Sequence, residues 1–259
     1  MPLANACFSY SMLHTMPEVL LPTEAEVAPT PPMVSLIPRG RRLFALGVVL
    51  SVSLLHFIFA SFYYLLGGSV PRGALELRLV GALFAESTSL LVLWYVVSER
   101  GSGWRTIGWT PDWKDLPEGF GLLIVGYLAT IPPVLVFQAA YRSFAGHYLH
   151  AKSLESVLGF GISLFSVAFV LINPFFEELI VRAYTMSEVM DLGGSRLLAI
   201  VVSVSLQMSY HFYQGVLRSI AIAATFTVFS IYFSRTRRIA PIILAHFCFD
   251  ALALVKGTF

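Results

Sequence analysis

The run VLINPFFEELIVRAY, residues 170–184, places two adjacent acids and an arginine inside a stretch that is otherwise apolar enough for a bilayer. A charge in hydrocarbon costs about 2.5–3.5 kcal/mol on insertion scales, so Glu177, Glu178 and Arg182 mark a partner or a function. Two further pieces behave alike. QMSYHFYQG (207–215) carries His211, and LAHFCFD (244–250) carries His246 and Asp250. Two acids, an arginine and a base-capable pair of histidines gathered this way suggest hydrolytic chemistry inside a bilayer.

Working outward, apolar runs alternate with short polar joints. Of the 259 residues 57% are hydrophobic and only 12% charged, against roughly 25% charged in soluble domains. With a mean hydropathy of +0.76, this predicts an all-α, polytopic membrane helix bundle with little soluble mass. The expected spans are 43–67, 74–97, 119–141, 158–172 leading into 174–190, 196–213, 216–234 and 239–255. That makes about seven transmembrane helices, or eight if the region around Asn173-Pro174 divides. Each is long enough to cross ~30 Å of hydrocarbon, the last one barely. Asn173 before Pro174 reads as a cap and a first-turn proline, hence a restart or kink. Pro132-Pro133 predicts a bend in the third span. Trp104, Trp109 and Trp113, in the 98–118 loop, suit the membrane–water boundary.

Residues 1–38 differ from the rest. They hold seven of the 14 prolines and no sustained apolar periodicity, so they read as a disordered tail ahead of one helical domain, 39–259. Met33 offers an alternative start. No basic, apolar and small-residue succession suggests a secretory signal. The net charge of +2 gives no reason to expect nucleic acid, because the basic residues flank apolar spans. Arg39, Arg41 and Arg42 precede the first span, while Arg235, Arg237 and Arg238 lie between the sixth and seventh. An even number of crossings separates them, so both sets fit the cytoplasmic side, with the N-terminus inside a bacterial cell membrane. Cys7 and Cys248 form no motif.

On a helix, Glu178 and Arg182 are i and i+4 and can pair. Glu177, turned by about 100°, faces elsewhere without an obvious partner and is free to act as a base. The alternative, an exposed turn at the membrane surface, sits badly with Phe175-Phe176 and Leu179-Ile180-Val181 on either side. His246 and Asp250 also share a face, so Asp250 can fix the imidazole tautomer. His56 reads as a packing residue, Glu86 as an acid deep in the second span, and His147 and His150 as members of a polar loop.

The three pieces, in this order, resemble the CPBP family of intramembrane proteases, also called the CAAX protease and bacteriocin-processing or Abi family. It includes the type II CAAX prenyl endopeptidases. The resemblance covers about 158–255. EExxxR is matched by Glu177, Glu178 and Arg182; FxxxH only at His211, with Gln207 in place of Phe; HxxxN or HxxxD by His246 and Asp250. It implies an endopeptidase in which Glu177 and His211 activate water. His246 and Asp250 would attend the oxyanion, and Glu178 and Arg182 would be structural or orient substrate. An ionised Asp250 cannot donate to an oxyanion as Asn would, so it is expected to hold His246 or to be protonated. Glu plus two His is a credible zinc set, but HExxH and HxxEH are absent. No cofactor is favoured, with zinc the alternative. The implied partners are a peptide or protein substrate at the membrane and the lipid bilayer. A different class stays open: a transporter using Glu86, Glu177 and the histidines as a proton relay, or an immunity or scaffold protein with a vestigial site. A relay would call for repeated halves, and no repetition is visible.

Overall fold

The structure, a computed structural model, describes residues 37–68, 75–101, 103–150 and 162–256. The tail expected over 1–38 lies outside these residues except for its last two. Seven helices are present among the described residues, with no strands. They are α1 (Arg39–Leu65), α2 (Leu75–Glu99), α3 (Asp115–Ala145), α4 (Leu164–Asp191), α5 (Arg196–Ser209), α6 (Val216–Thr236) and α7 (Ala240–Lys256). Five of them, α1 to α4 and α6, are long and apolar enough to cross a membrane.

The seven helices match the expected number, but two of them, α5 and α7, are shorter than the full spans expected. The 14 residues of α5 rise only about 21 Å at 1.5 Å per residue, short of the ~30 Å hydrocarbon. The chain then breaks at Tyr210–Gly215, with a short 3-10 turn at Phe212–Gln214, before α6 resumes. Non-helical backbone at membrane depth survives where it is buried in protein or lines a cavity. Here α1 receives it: the Tyr213 N–H donates to Ser61 Oγ at 3.0 Å, and the Phe62 and Phe212 rings lie 5.6 Å apart.

The helix at the centre is α4. In its most apolar window 56% of residues are buried, against 11–33% in the other four long helices, and every residue from Phe176 to Glu188 is buried. The others turn large apolar side chains outward, among them Phe44, Phe59, Phe84, Leu91, Ile124 and Val136, which is the surface that lipid tails favour. Asn173 does not restart the helix. The cap is Ser163, in a reciprocal box with Ser166, and the helix runs through Pro174. It also runs through Pro132 and Pro133 in α3. α3 lies close against α6 and α7 because it carries small residues there: a Cβ on Gly126 would stand 3.1 Å from Thr225 Cγ2, and one on Gly119 2.8 Å from Leu244 Cδ2. Small residues let helix backbones approach where no hydrophobic effect drives them together.

Ion pairs tie one end of the bundle. Arg42 meets Glu188 at 3.1 Å and Asp191 at 3.6 Å; Arg100 meets Glu188 at 2.5 Å; Arg237 meets Asp191 at 2.9 Å. Arg238 meets Asp115 at 2.5 Å and Glu118 at 2.7 Å, and its bonds to Glu118 hold the guanidinium above its ordinary value. Thus Arg42 is a buried structural residue rather than a solvated flank. The start of α1, the ends of α2, α4 and α6 and the starts of α3 and α7 all gather at this end. The Trp109 and Phe175 rings lie 5.6 Å apart, and Trp104 lines the same shallow hollow; Trp113 is the exposed one.

Candidate active site

Seven residues of α4, Glu178–Tyr184, form a π-helical segment. Such widened turns concentrate at functional sites. The Thr185 hydroxyl donates to the Ile180 carbonyl at 2.7 Å, beside the bond that the same carbonyl accepts from the Thr185 N–H, five residues on. Glu177 closes the preceding α-helical part and Glu178 opens the widened one, and both carboxylates reach the same imidazole. His246 Nδ1 lies 2.7 Å from Glu178 Oε1, and its Nε2 3.9 Å from Glu177 Oε2. The expectation that Glu177 faces elsewhere without a partner is therefore wrong.

Arg182 organises the pair. Its Nε lies 2.9 Å from Glu178 Oε2, close enough for an ion pair though not aligned as a hydrogen bond. Its Nη1 donates to Gln207 Oε1 at 3.0 Å, and Gln207 Nε2 donates to Glu177 Oε2. With a guanidinium on one side and a carboxylate on the other, only this orientation of the amide pairs donor with acceptor. So one arginine serves both acids, the first through glutamine. Glu178, Arg182 and Gln207 are each 0% exposed, and the guanidinium packs 4.1 Å above the Phe226 ring, an arrangement that suits a desolvated cation. Gln207, which stands where the resembled motif has Phe, is thus a polar member of the site.

The histidines arrive by different routes. Glu177 precedes Asp191 by fourteen residues, and His211 follows Arg196 by fifteen. Each lies on the order of 20 Å from the turn joining α4 to α5, so the hairpin brings them to one depth. The early end of α5 is what puts His211 there. Its Nδ1 meets the Gln207 carbonyl at 2.8 Å, and a carbonyl only accepts, so Nδ1 carries the proton and Nε2 faces Glu177 Oε1 at 3.9 Å. His246 likewise gives Nδ1–H to Glu178. Both imidazoles present Nε2 to the Glu177 carboxylate at a separation that suits a bridging water.

Asp250 is 3.7 Å from His246 Nε2, beyond hydrogen-bond reach, so Glu178 and not Asp250 fixes that tautomer. Asp250 instead accepts from Asn173 Nδ2 at 3.0 Å. The residue read as a helix cap is a member of the site. Nothing in the local sequence distinguishes the two roles, because the contact spans 77 positions.

These groups line a cavity of about 480 Å³ bounded by the later halves of α1 and α7, the earlier halves of α2 and α4, and the Tyr210–Gly215 break. Its lining comes from the portions of these helices that lead away from the ion-paired end. His56, read as a packing residue, is exposed on the cavity wall. Glu86 also lines it. His147, in the polar loop, bonds the Ala145 carbonyl at 2.9 Å and lies apart from the cavity lining.

Two imidazoles with tied Nδ1 atoms and one carboxylate are chemically acceptable to zinc. Ligands around a tetrahedral ion, however, stand roughly 3.3 Å apart, against 3.9 Å from Glu177 to each imidazole here. Among the described residues no three His, Cys, Asp or Glu side chains are disposed to hold a metal ion. As arranged, the residues do not fit a metal centre.

Residues 159–252 match the family model described as type II CAAX prenyl endopeptidase Rce1-like. That segment contains Glu177, Glu178, Arg182, His211, His246 and Asp250, so the family resemblance holds for the part of the chain that carries these six residues, while α1 and α2 complete the cavity from outside it. No curated protein and no solved structure matches the chain.

Proposed function

We propose that this chain, Rce1-like over its site-bearing segment, is an intramembrane endopeptidase that hydrolyses a peptide bond of a membrane-associated substrate. The observation that carries this reading is the pair of Nε2 atoms 3.9 Å from a single buried carboxylate, on the wall of a cavity. A water held between Glu177 Oε1 and His211 Nε2 gives each acceptor one hydrogen and turns a lone pair toward the cavity. As the water oxygen adds to the substrate carbonyl, its proton passes to Glu177. The oxyanion is met by the N–H of a protonated His246 Nε2, whose positive charge Glu178 supports. When the C–N bond breaks, the Glu177 carboxyl returns its proton to the leaving amine, and a carboxylic acid and a free amine depart. Asp250, pinned by Asn173, shapes the far side of His246. No metal takes part in this scheme.

The gathered basic residues support an orientation with the ion-paired end, and the start of α1, in the cytoplasm. The cavity then lies toward the opposite leaflet. The deciding experiment compares newly formed peptide termini in membranes of cells carrying wild type, Glu177→Gln or His211→Ala, each at equal abundance. Termini that vanish in both variants support the peptidase. An unchanged set in both variants overturns it and favours a transporter or a vestigial site. Purified wild type is expected to cleave a substrate so identified in the presence of a strong zinc chelator.

A further inference from the structure

Glu86 is an acid on the cavity wall that the reaction above leaves without a task. It belongs to α2, outside the family-matched segment. Its side chain is 1% exposed, and its Oε2 has no hydrogen-bond partner among the described residues. It lies within electrostatic reach of Glu177 and Asp250, so three carboxylates share one lining.

The cations nearby are committed elsewhere. Arg182 is held behind the wall by Glu178 and Gln207. Arg78 lines the cavity but donates to Tyr64 Oη at 2.9 Å and sits eight residues, about 12 Å of helix rise, from Glu86. The His211 and His246 imidazoles turn toward Glu177, and among the described residues no ion pair joins His56, the third imidazole on the wall, to Glu86. A buried carboxylate without a cation is costly, whereas an arriving cation that neutralises it is bound more tightly than an uncharged group of the same size. We propose that Glu86 is a substrate-selecting residue, which receives a lysine, an arginine or another protonated amine of the bound peptide. This deepens the peptidase reading and rests on it.

The test uses the full chain in detergent micelles and dye-labelled leucine–alanine peptides. A single lysine, or norleucine at the same place, is moved along them position by position. For at least one placement the lysine peptide is expected to bind ten or more times tighter than its norleucine twin. In Glu86→Gln that ratio should fall to about one, and in Glu86→Lys a glutamate should be preferred instead. Equal binding of lysine and norleucine at every position overturns the proposal, and so does a lysine preference that persists in Glu86→Gln. The first comparison needs only wild type, so a variant that fails to fold does not blunt it. Cleavage of the same peptides separates the two claims. Lysine-selective binding without turnover keeps the cation site and removes the peptidase. Turnover indifferent to lysine does the reverse.

Discussion

The last turn and the middle of the central helix treat charge in opposite ways. At its last turn, Glu188 sits between Arg42 and Arg100, and Asp191 meets Arg42 and Arg237. About two turns earlier, Arg182 serves Glu178 directly and Glu177 through Gln207, while Glu86 and Asp250 face the same cavity without a guanidinium. Where cations match acids the charges hold helices together, and removing one partner strands the other. Where acids exceed cations the helix keeps capacity for something that arrives.

That contrast can be broken by mutation. The largest effect is expected from Glu177→Gln. Loss of the base should reduce peptidase turnover by on the order of 10²–10⁴-fold with no loss of stability, read as kcat alongside the unfolding midpoint. Arg182→Met should act the other way, leaving Glu178 buried without its counter-ion. A cost of about 3–5 kcal/mol should appear as a lowered unfolding midpoint and poor recovery from the membrane. At the last turn, Glu188→Ala should cost a similar ~3–5 kcal/mol by leaving Arg100 without an acid and Arg42 with only Asp191, with kcat per folded molecule unchanged. A Glu188→Ala protein that stays stable yet inactive would erase the distinction. Asn173→Ala frees Asp250 from its amide, removing a charge-assisted bond of about 1.5–3 kcal/mol; a roughly tenfold lower kcat is expected from the misplaced carboxylate. The smallest effect should come from Arg237→Ala. Its pair with Asp191 is over 40% exposed on both sides, and such pairs contribute at most about 1 kcal/mol.

Much of the candidate site was legible because charge is expensive in its setting. Glu177, Glu178, Arg182, His211, His246 and Asp250 stand out against apolar neighbours, and five of the seven helices read directly as spans. What escaped was anything set by distant contacts. Asn173 looks like a cap in its own neighbourhood and becomes a donor only when α7 brings Asp250 to it. Gln207 looks like a departure from a motif until Arg182 and Glu177 close on both ends of its amide. Arg42 resembles its solvated neighbours Arg39 and Arg41, but the last turn of α4 covers it. His56 reads as packing in a lone apolar helix, and only the arrangement of α2 and α4 leaves a cavity beside it.

Composition and the intervals between charged residues determined the solvent this chain folds in, its helical class and which polar side chains stand out as candidates for a site, because transfer into hydrocarbon is a property of each residue and its near neighbours. Tertiary structure decided the pairing: that Glu178 rather than Asp250 orients His246, that α5 stops early so His211 meets Glu177 at one depth, and that Glu86 is left facing a cavity. Those outcomes depend on which helices touch and where the backbone widens or breaks. They arise from contacts between residues tens of positions apart, which a local reading of spacing does not contain.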